Sequence, residues 1–443
     1  MIAGPRIRSI NDVAEKHLCT GCGVCAFLQP DDIAMVDDLD RGRRPIMRPG
    51  RENADTAFAL SACPGVGLEH GPMPDGAIGS LVEGWGPVLA LWEGAAAADD
   101  LRYAGSSGGA ASALALHGLE HGGAAGVLHI GARDDIPWLN HTRLSTTRDE
   151  LMATTGSRYA PASPCDGLDL VESAEGACVM IGKPCDVAAT RAAMALKPEL
   201  ADKVMVTIGI FCAGAPSTNG SLAWAKKVIG AEPDDITSLR YRGNGWPGHA
   251  VVEIRRKGEV LAERAASASE TSASETSASE TSASETYAES WGFLQAHRQW
   301  RCYVCADHTG EFADISVGDP WYRPTDGDPG RSLVMARTER GRRFIEEAIA
   351  SGALDLEPCG SEILPASQPN LLETRGATWG RITALRAVGV ATPRYRNMAT
   401  ASLWRSELTM KARAQSFYGT LKRAWTKKLY RRRPVEPYEP VSS

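Results

Sequence analysis

The run CTGCGVC sets Cys19, Cys22 and Cys25 at two-residue intervals, and Cys63 follows in a CPG tripeptide. Each short loop re-aims a thiolate, so three cysteines spaced this way can wrap one face of a cube-shaped 4Fe-4S cluster. A remote cysteine followed by proline completes such sites. Gly21 and Gly23 let the backbone bend tightly and turn N–H groups toward sulfur. The other reading is a zinc knuckle, although zinc usually takes cysteines as two separated pairs. Eleven cysteines in 443 residues is an odd and clustered set. In a reducing compartment, where structural disulfides are rare, such thiols point to metal or redox chemistry.

Between Cys25 and Cys63, the stretch DIAMVDDLDRGRRPIM reads as a hairpin, and this N-terminal part resembles half of a bacterial ferredoxin. We expect a ferredoxin-like domain over residues 1–75. After a Gly, Pro and Asp-rich loop, a strand is predicted from Pro87. Next, Ser106, Ser107, Gly108 and Gly109 precede a predicted helix from Ala110 to about Glu120. Small residues at a helix start let a phosphate reach free backbone N–H groups. A plain cap chosen for close packing is the alternative. Another loop carries Gly156, Ser157, Arg158 and Tyr159, where Arg158 could hold a phosphate and Tyr159 could stack on a flat ring, or both could be loop packing. There is no GxGxxG and no P-loop.

Three further strands end in chemistry. Cys178–Ile181 runs into Gly-Lys183-Pro-Cys185, Val204–Phe211 runs into Cys212, and Ala313–Val317 leads to Gly318 and Asp319. The edge beyond the C-terminal ends of strands is where open α/β sheets bind ligands. If the first two strands are neighbours, Cys185 and Cys212 lie side by side, and the CxxC pair Cys302 and Cys305 supplies the other half of a second cluster site. For any one of these cysteines alone, a small buried residue is the plainer role. Cys178 reads as core, and Cys165 and Cys359 have no assigned place. Asp319 and His308 are candidate proton donors or orienting groups. A turn or cap is the alternative for Asp319, and a surface loop for His308.

The segment ITSLRYRGNGWPGHAVVEI alternates around a Gly-Asn-Gly turn and suggests antiparallel strands. Four copies of SASET then fill Ser267 to Thr286. With no large apolar residue to bury, this segment is expected to form a disordered insert over 266–290. It would divide a mixed α/β domain into residues 80–265 and 291–400. The tail, 401–443, mixes Lys and Arg with aromatic residues. That composition suits contact with an anionic membrane surface, or a solvated terminal helix. The fold class is therefore α+β, with a ferredoxin-like 4Fe-4S domain, a mixed α/β domain and a helical tail. A net charge of -6 gives no reason to expect nucleic-acid binding. No stretch reaches the ~18 apolar residues of a spanning helix, and no signal peptide is evident at the N-terminus. The cytoplasm is expected, with the inner face of the membrane compatible with the tail.

Taken together, CTGCGVC…CPG, SSGGAASALA, GSRYAP, IGKPCDVAATR, GIFCAG and CYVCADHTGEFADISVGD resemble the beta subunits of coenzyme F420 (deazaflavin) hydrogenases and dehydrogenases. Relatives of that family include ferredoxin-dependent reductases of chlorophyll-type tetrapyrroles. The resemblance implies two 4Fe-4S clusters and FAD. Cys19, Cys22, Cys25 and Cys63 match the first cluster motif, and Cys185, Cys212, Cys302 and Cys305 match positions assigned to the second. SSGG and GSRYAP match loops expected near FAD, and Lys183 is placed to stabilise reduced flavin. The expected activity is an electron relay between ferredoxin, another redox protein or a deazaflavin coenzyme and a small organic substrate. No hydrogenase metal centre is recognisable. The rival readings are a non-enzymatic electron carrier or redox sensor, and a zinc-bearing binding scaffold. Some bacterial members of the family are associated with surface-polysaccharide synthesis.

Overall fold

A computed structural model describes residues 5–256, 279–324 and 327–439. The N-terminal part is built around the first cysteine run. Helix Ile10–Glu15 starts at Ser9, whose hydroxyl accepts a hydrogen bond from the Asp12 amide. Strands β1 (Ile33–Asp38) and β2 (Gly42–Met47) pair as the expected antiparallel hairpin. The short strand β3 (Gly67–Glu69) follows Cys63.

The sheet that organises the rest has eight strands. In chain order its first five are β4 (Ala90–Ala96), β5 (Gly126–Ala132), β6 (Asn140–Ser145), β7 (Cys178–Gly182) and β8 (Val204–Ile210). A separate three-stranded sheet takes β9 (Ile236–Arg240), β10 (His249–Arg256) and β11 (Ser279–Thr286). The large sheet then resumes with β12 (Ile315–Gly318), β13 (Ser332–Ala336) and β14 (Leu354–Pro358). Its spatial order is β14-β4-β13-β12-β8-β7-β5-β6. Strands β5, β7, β8 and β12 run parallel, and β4 shares their direction because β13 is antiparallel to both β12 and β4. The segments after β4, β7, β8 and β12 therefore all leave from one edge.

Burial explains why these segments become strands. Val127 and Val179 pack on one face of the sheet, and their neighbours Leu128 and Met180 on the other. That is the period-two alternation of a strand covered on both sides. Each such side chain contributes about 1.5–3 kcal/mol when buried. Helix Ala110–Glu120 covers the first face so closely that a Cβ on Gly118 would stand 2.6 Å from Val179 Cγ2.

The repeat corrects an expectation. The insert expected to be disordered over 266–290 is ordered where it is described: Ser279–Thr286 form β11, in register with β10 from Ser279↔Arg256 to Thr286↔His249. Strand pairing uses the backbone, so a five-residue side-chain period does not prevent it. Glu285 secures the strand by accepting from Trp224 Nε1 and Lys227 Nζ, each at 2.8 Å. Thr286 then caps helix Tyr287–Leu294. The earlier part of the repeat, through 278, lies outside the described residues.

Helices Leu371–Ala387, Thr400–Ser406 and Met410–Thr426 pack together at the C-terminal end, and β15 (Arg394–Arg396) pairs in parallel with β3. No helix among the described residues is long and apolar enough to cross a membrane.

Candidate redox centre

Two sets of four cysteines converge. In the first, Cys19, Cys22 and Cys25 lie in the loop and opening turn of helix Val24–Leu28, and Cys63 follows helix Ala57–Ser61. Gly23 starts the first of these helices with φ +93, and a Cβ there would meet Asp166 N at 2.7 Å, so the turn requires glycine. Burial pushes the Cys25 thiol well up, and Cys19, Cys22 and Cys63 each add to the push, which marks the four as neighbours. Burial likewise pushes Cys63 up to about 12. Thiols so desolvated ionise only against a compensating positive centre, and bound metal supplies one.

The second set is assembled by the sheet. Strands β7 and β8 are paired neighbours with Gly182 opposite Gly209. Cys185, in the first turn of helix Pro184–Leu196, and Cys212, two residues beyond β8, therefore emerge side by side. The CxxC pair rides on the 3-10 turn Trp300–Val304. This turn is fastened to the Cys212 loop by Gln299 N donating to Ala215 O at 3.0 Å and by a bridge between Pro216 and Arg298. Cys185, Cys212, Cys302 and Cys305 all line one cavity of about 40 Å³. A single water needs only about 10–15 Å³ of such space, so the cavity has room for more than one water. Backbone N–H groups of Gly214 and Ala215 point at Cys212 Sγ and Cys302 Sγ, at 3.4 and 3.5 Å, as anionic sulfur requires. Burial raises Cys212 to about 12 and Cys305 to about 11. Among the described residues, no three His, Cys, Asp or Glu side chains are drawn up around a single metal ion. The donor set and the cavity fit a four-thiolate cluster.

Buried cations join the two sets. Arg44 Nη2 donates to Gln299 Oε1 at 3.1 Å, and Gln299 lines the second cavity. Burial pulls the Arg44 pKa down while Cys19 of one set and Cys302 of the other pull it up. Arg301, also on the cavity wall, donates to the carbonyl of Pro64, the residue after Cys63. Lys183 lies on this wall, with Nζ 2.7 Å from Asp186 Oδ1 and 3.2 Å from Ala162 O. His308 lines the cavity as well. Its Nδ1 is 3.1 Å from Cys212 O, its Nε2 is buried without a partner, and burial lowers its pKa to about 4.

The remaining candidates gather elsewhere along the same sheet edge. The SSGG loop is reached from β4 through the short helix Asp99–Ala104, and helix Ala110–Glu120 opens without a side-chain cap. Ser107 Oγ donates to Arg331 O, and Gly108 N donates to Ser332 Oγ at 2.9 Å, which holds the loop against the start of β13. Gly156 adjoins this loop through Gly243, where a Cβ would stand 2.8 Å from Ala104 O and 3.5 Å from Gly156 Cα. Gly245 N donates to Tyr103 O at 2.9 Å. Three glycine-bearing loops thus meet beside an uncapped helix N-terminus, where Ser106 and Ser157 also lie. Arg158 is spent on structure, because its guanidinium donates to Asn140 Oδ1, Leu239 O and Pro137 O. Tyr159 packs among Tyr241, Tyr287 and Trp291.

Asp319, just past β12, holds Arg242 in a two-pronged pair at 2.5 and 2.9 Å and accepts from Trp246 Nε1 at 3.0 Å. The guanidinium stands 4.9 Å from the Tyr287 ring and 5.0 Å from the Trp321 ring. Those two rings stack on each other at 5.3 Å. Asp319 thereby fixes the guanidinium of Arg242 in place. Sequence reasoning missed Arg242, Arg44 and Cys165. Cys165 N donates to Cys22 O at 3.0 Å, and the neighbouring Cys165 thiol holds Cys22 below the usual thiol range despite burial. The signal for Arg242 was its place before the Gly-Asn-Gly turn, and for Arg44 a cation pair beside the hairpin glycine. Cys165 had no signal beyond its residue type.

Two profiles of one family match the chain: "Coenzyme F420 hydrogenase/dehydrogenase, beta subunit N-term" over residues 91–168 and its "C terminus" counterpart over 177–362. The second span contains Cys185, Cys212, Cys302, Cys305 and Asp319, while the first cysteine set lies before both. The chain is similar to the coenzyme F420 hydrogenase subunit beta of Methanosarcina barkeri, at 26% identity over 275 residues, 57% of this chain and 75% of that protein. The same subunit of Methanococcus voltae is 25% identical over 253 residues, 56% of this chain and 76% of that protein. A chain of the F420-reducing NiFe hydrogenase complex from Methanosarcina barkeri, solved after xenon derivatisation, superposes with a TM-score of 0.51. It is 20% identical, and the match covers 69% of this chain and 95% of that one, which is a likeness of fold.

Proposed function

The chain belongs to the coenzyme F420 hydrogenase/dehydrogenase beta-subunit family, an oxidoreductase family, and from that premise we propose that it is an iron–sulfur flavoprotein oxidoreductase. It would pass electrons between a one-electron carrier or a deazaflavin coenzyme and a small organic substrate. The observation that carries this reading is the meeting of Cys185, Cys212, Cys302 and Cys305 on one cavity, joined by buried arginines to the Cys19, Cys22, Cys25 and Cys63 set. When bound, clusters supply single-electron steps, and FAD exchanges single electrons with clusters and pairs with substrates.

The protein's own groups set the route. Cys63 lines a cleft of about 680 Å³, together with Leu60, Val66, Phe312, Arg191, Arg394 and Arg396. Arg394 is exposed and without an acidic partner among the described residues, which suits an acidic redox protein such as ferredoxin. The N-terminal ferredoxin-like unit is then the electron inlet. Arg44 balances negative charge on either cysteine set. The uncapped helix start at Ala110 and the glycine loops around Ser106, Gly109, Gly156 and Ser157 offer a flavin phosphate backbone donors. Lys183 and His308 serve the second cysteine cavity, where a fixed ammonium and a neutral imidazole adjust the charge around sulfur. Arg242, fixed by Asp319, presents a cation at the same edge of the sheet.

Anaerobic reconstitution tests the proposal. Two cubanes require about eight iron atoms and eight acid-labile sulfides per chain. Flavin absorbance should bleach with reduced ferredoxin, NAD(P)H or reduced F420, and the donor that works names the physiological side. Iron and sulfide without flavin would leave only an electron carrier or redox sensor. Stoichiometric zinc without sulfide would refute the redox reading.

A further inference from the structure

Helix Met410–Thr426 carries a polarised surface that the redox chemistry leaves unused. From Met410 to Arg433 the sequence has nine Lys and Arg residues and no Asp or Glu. Three of the nine tie the segment to the body. Arg413 Nε donates to Trp404 O at 3.1 Å, Arg432 pairs with Asp12 and Glu15, and Arg433 pairs with Asp40. The other six, Lys411, Lys422, Arg423, Lys427, Lys428 and Arg431, are exposed, with no acidic partner among the described residues.

The same helix exposes large apolar side chains. Met410 is 76% exposed, Tyr418 69% and Trp425 74%. They stand about two turns apart in succession, so they share one face. Tyr430 extends the row, with its ring 5.9 Å from that of Trp425. The opposite face is fixed. Ser416, Thr420 and Ala424 are buried, and a Cβ on Gly380 would come 2.7 Å from Trp404 Nε1 and still closer to Ser416. Close packing on small residues locks the helix in rotation, so the aromatic row must point outward.

We infer that this face docks the protein on an anionic lipid surface, independently of the redox reading. The occupant follows from chemistry. The exposed large apolar groups of this segment are Met, Tyr and Trp interleaved with long cations, and no Leu, Ile or Val of residues 410–433 is exposed beside them. Tyr and Trp settle at headgroup depth, and Lys and Arg meet lipid phosphates. Attachment would be peripheral.

Co-sedimentation of the full chain with vesicles tests this. Vesicles of equal parts phosphatidylglycerol and phosphatidylcholine should bind it, those of phosphatidylcholine alone should bind it at least ~10-fold more weakly, and salt should weaken binding. Trp425→Ser with Tyr418→Ser, and separately Lys422→Glu with Lys427→Glu and Lys428→Glu, should each lower binding by at least ~10-fold. All of these positions are exposed, and unchanged circular dichroism and melting would show that the fold is kept. Equal binding to both vesicle types, no binding, or binding unaffected by either variant would overturn the inference. So would variants that abolish self-association or capture of an acidic protein but leave vesicle binding intact.

Discussion

Arg44 is a fully desolvated cation between two groups of thiols, and its geometry leaves it little freedom. Nη1 donates to Arg43 O at 2.7 Å and Nη2 to Gln299 Oε1 at 3.1 Å. In the proposed reading, where each set holds a cluster, a positive charge beside both favours their more negative, reduced forms. In a medium less polar than water this attraction is not screened away. Arg44→Met, which keeps the length and removes the charge, should leave iron content intact and move both cluster potentials negative by on the order of tens of millivolts. A redox titration followed by electron paramagnetic resonance reads both centres. Unchanged potentials would reduce Arg44 to a packing residue. Cys305 makes the complementary test. Cys305→Ala should lose about half the iron, because three thiolates hold a cubane poorly. Full iron content with native spectra would remove Cys305 from the ligand set.

At the scale of elements, the CxxC turn is held in place by helix Leu371–Ala387. Thr378 Oγ1 donates to Cys305 O at 3.0 Å, and Arg375 pairs with Glu311 in the buried loop that follows the turn. His70 Nε2 lies 2.7 Å from Glu311 Oε2. Burial alone would raise Glu311, but Arg375 and His70 outweigh it and hold the carboxyl down at about 2. Because its folded value lies below its unfolded one, its contribution is present above pH ~4.3 and is lost as pH falls from there toward ~2. Glu311→Gln should cost about 3–5 kcal/mol, because Arg375 is left as an unpaired buried charge, and should flatten the acid limb of a urea-denaturation series. An unaltered acid limb would assign that loss to other carboxylates. Much at this scale was legible in the sequence. The Ala110–Glu120 helix and the strands before Cys185, Cys212 and Asp319 follow from apolar runs ending in turn residues, whereas the pairing of β7 with β8, on which the second cysteine set depends, was only a condition until the sheet order was known. Partners chosen across long sequence distances were not legible. Nothing in a line of letters joins Arg242 to Asp319, or Glu311 to Arg375. β11 was hidden for another reason: backbone pairing asks little of side chains, so a polar repeat that looks unfoldable can still complete a sheet.

The whole molecule is closed by its C-terminal segment. Arg41 donates to the carbonyls of Arg433 and Pro434, Tyr438 N donates to Asp37 O at 2.7 Å, and Arg432 reaches Asp12 and Glu15. Together with the β3–β15 pair, these contacts strap the first cysteine unit to the end of the chain. The unit therefore borrows its rigidity. The β1–β2 hairpin is short, and an isolated two-stranded ribbon is only marginally stable in water. Truncation after Tyr430 removes every one of the strap's hydrogen bonds to the hairpin but leaves the eight-stranded sheet untouched. Amide hydrogen exchange in residues 33–47 should then speed up by at least ~10-fold, while β7 and β8 keep their protection, because local openings are governed by local contacts. Iron should be lost first from the Cys19, Cys22, Cys25 and Cys63 site, seen as one of two paramagnetic signals fading. If hairpin exchange and both signals were unchanged, the unit would be self-supporting, and the buried Arg301–Pro64 and Arg44–Gln299 contacts would suffice to seat it.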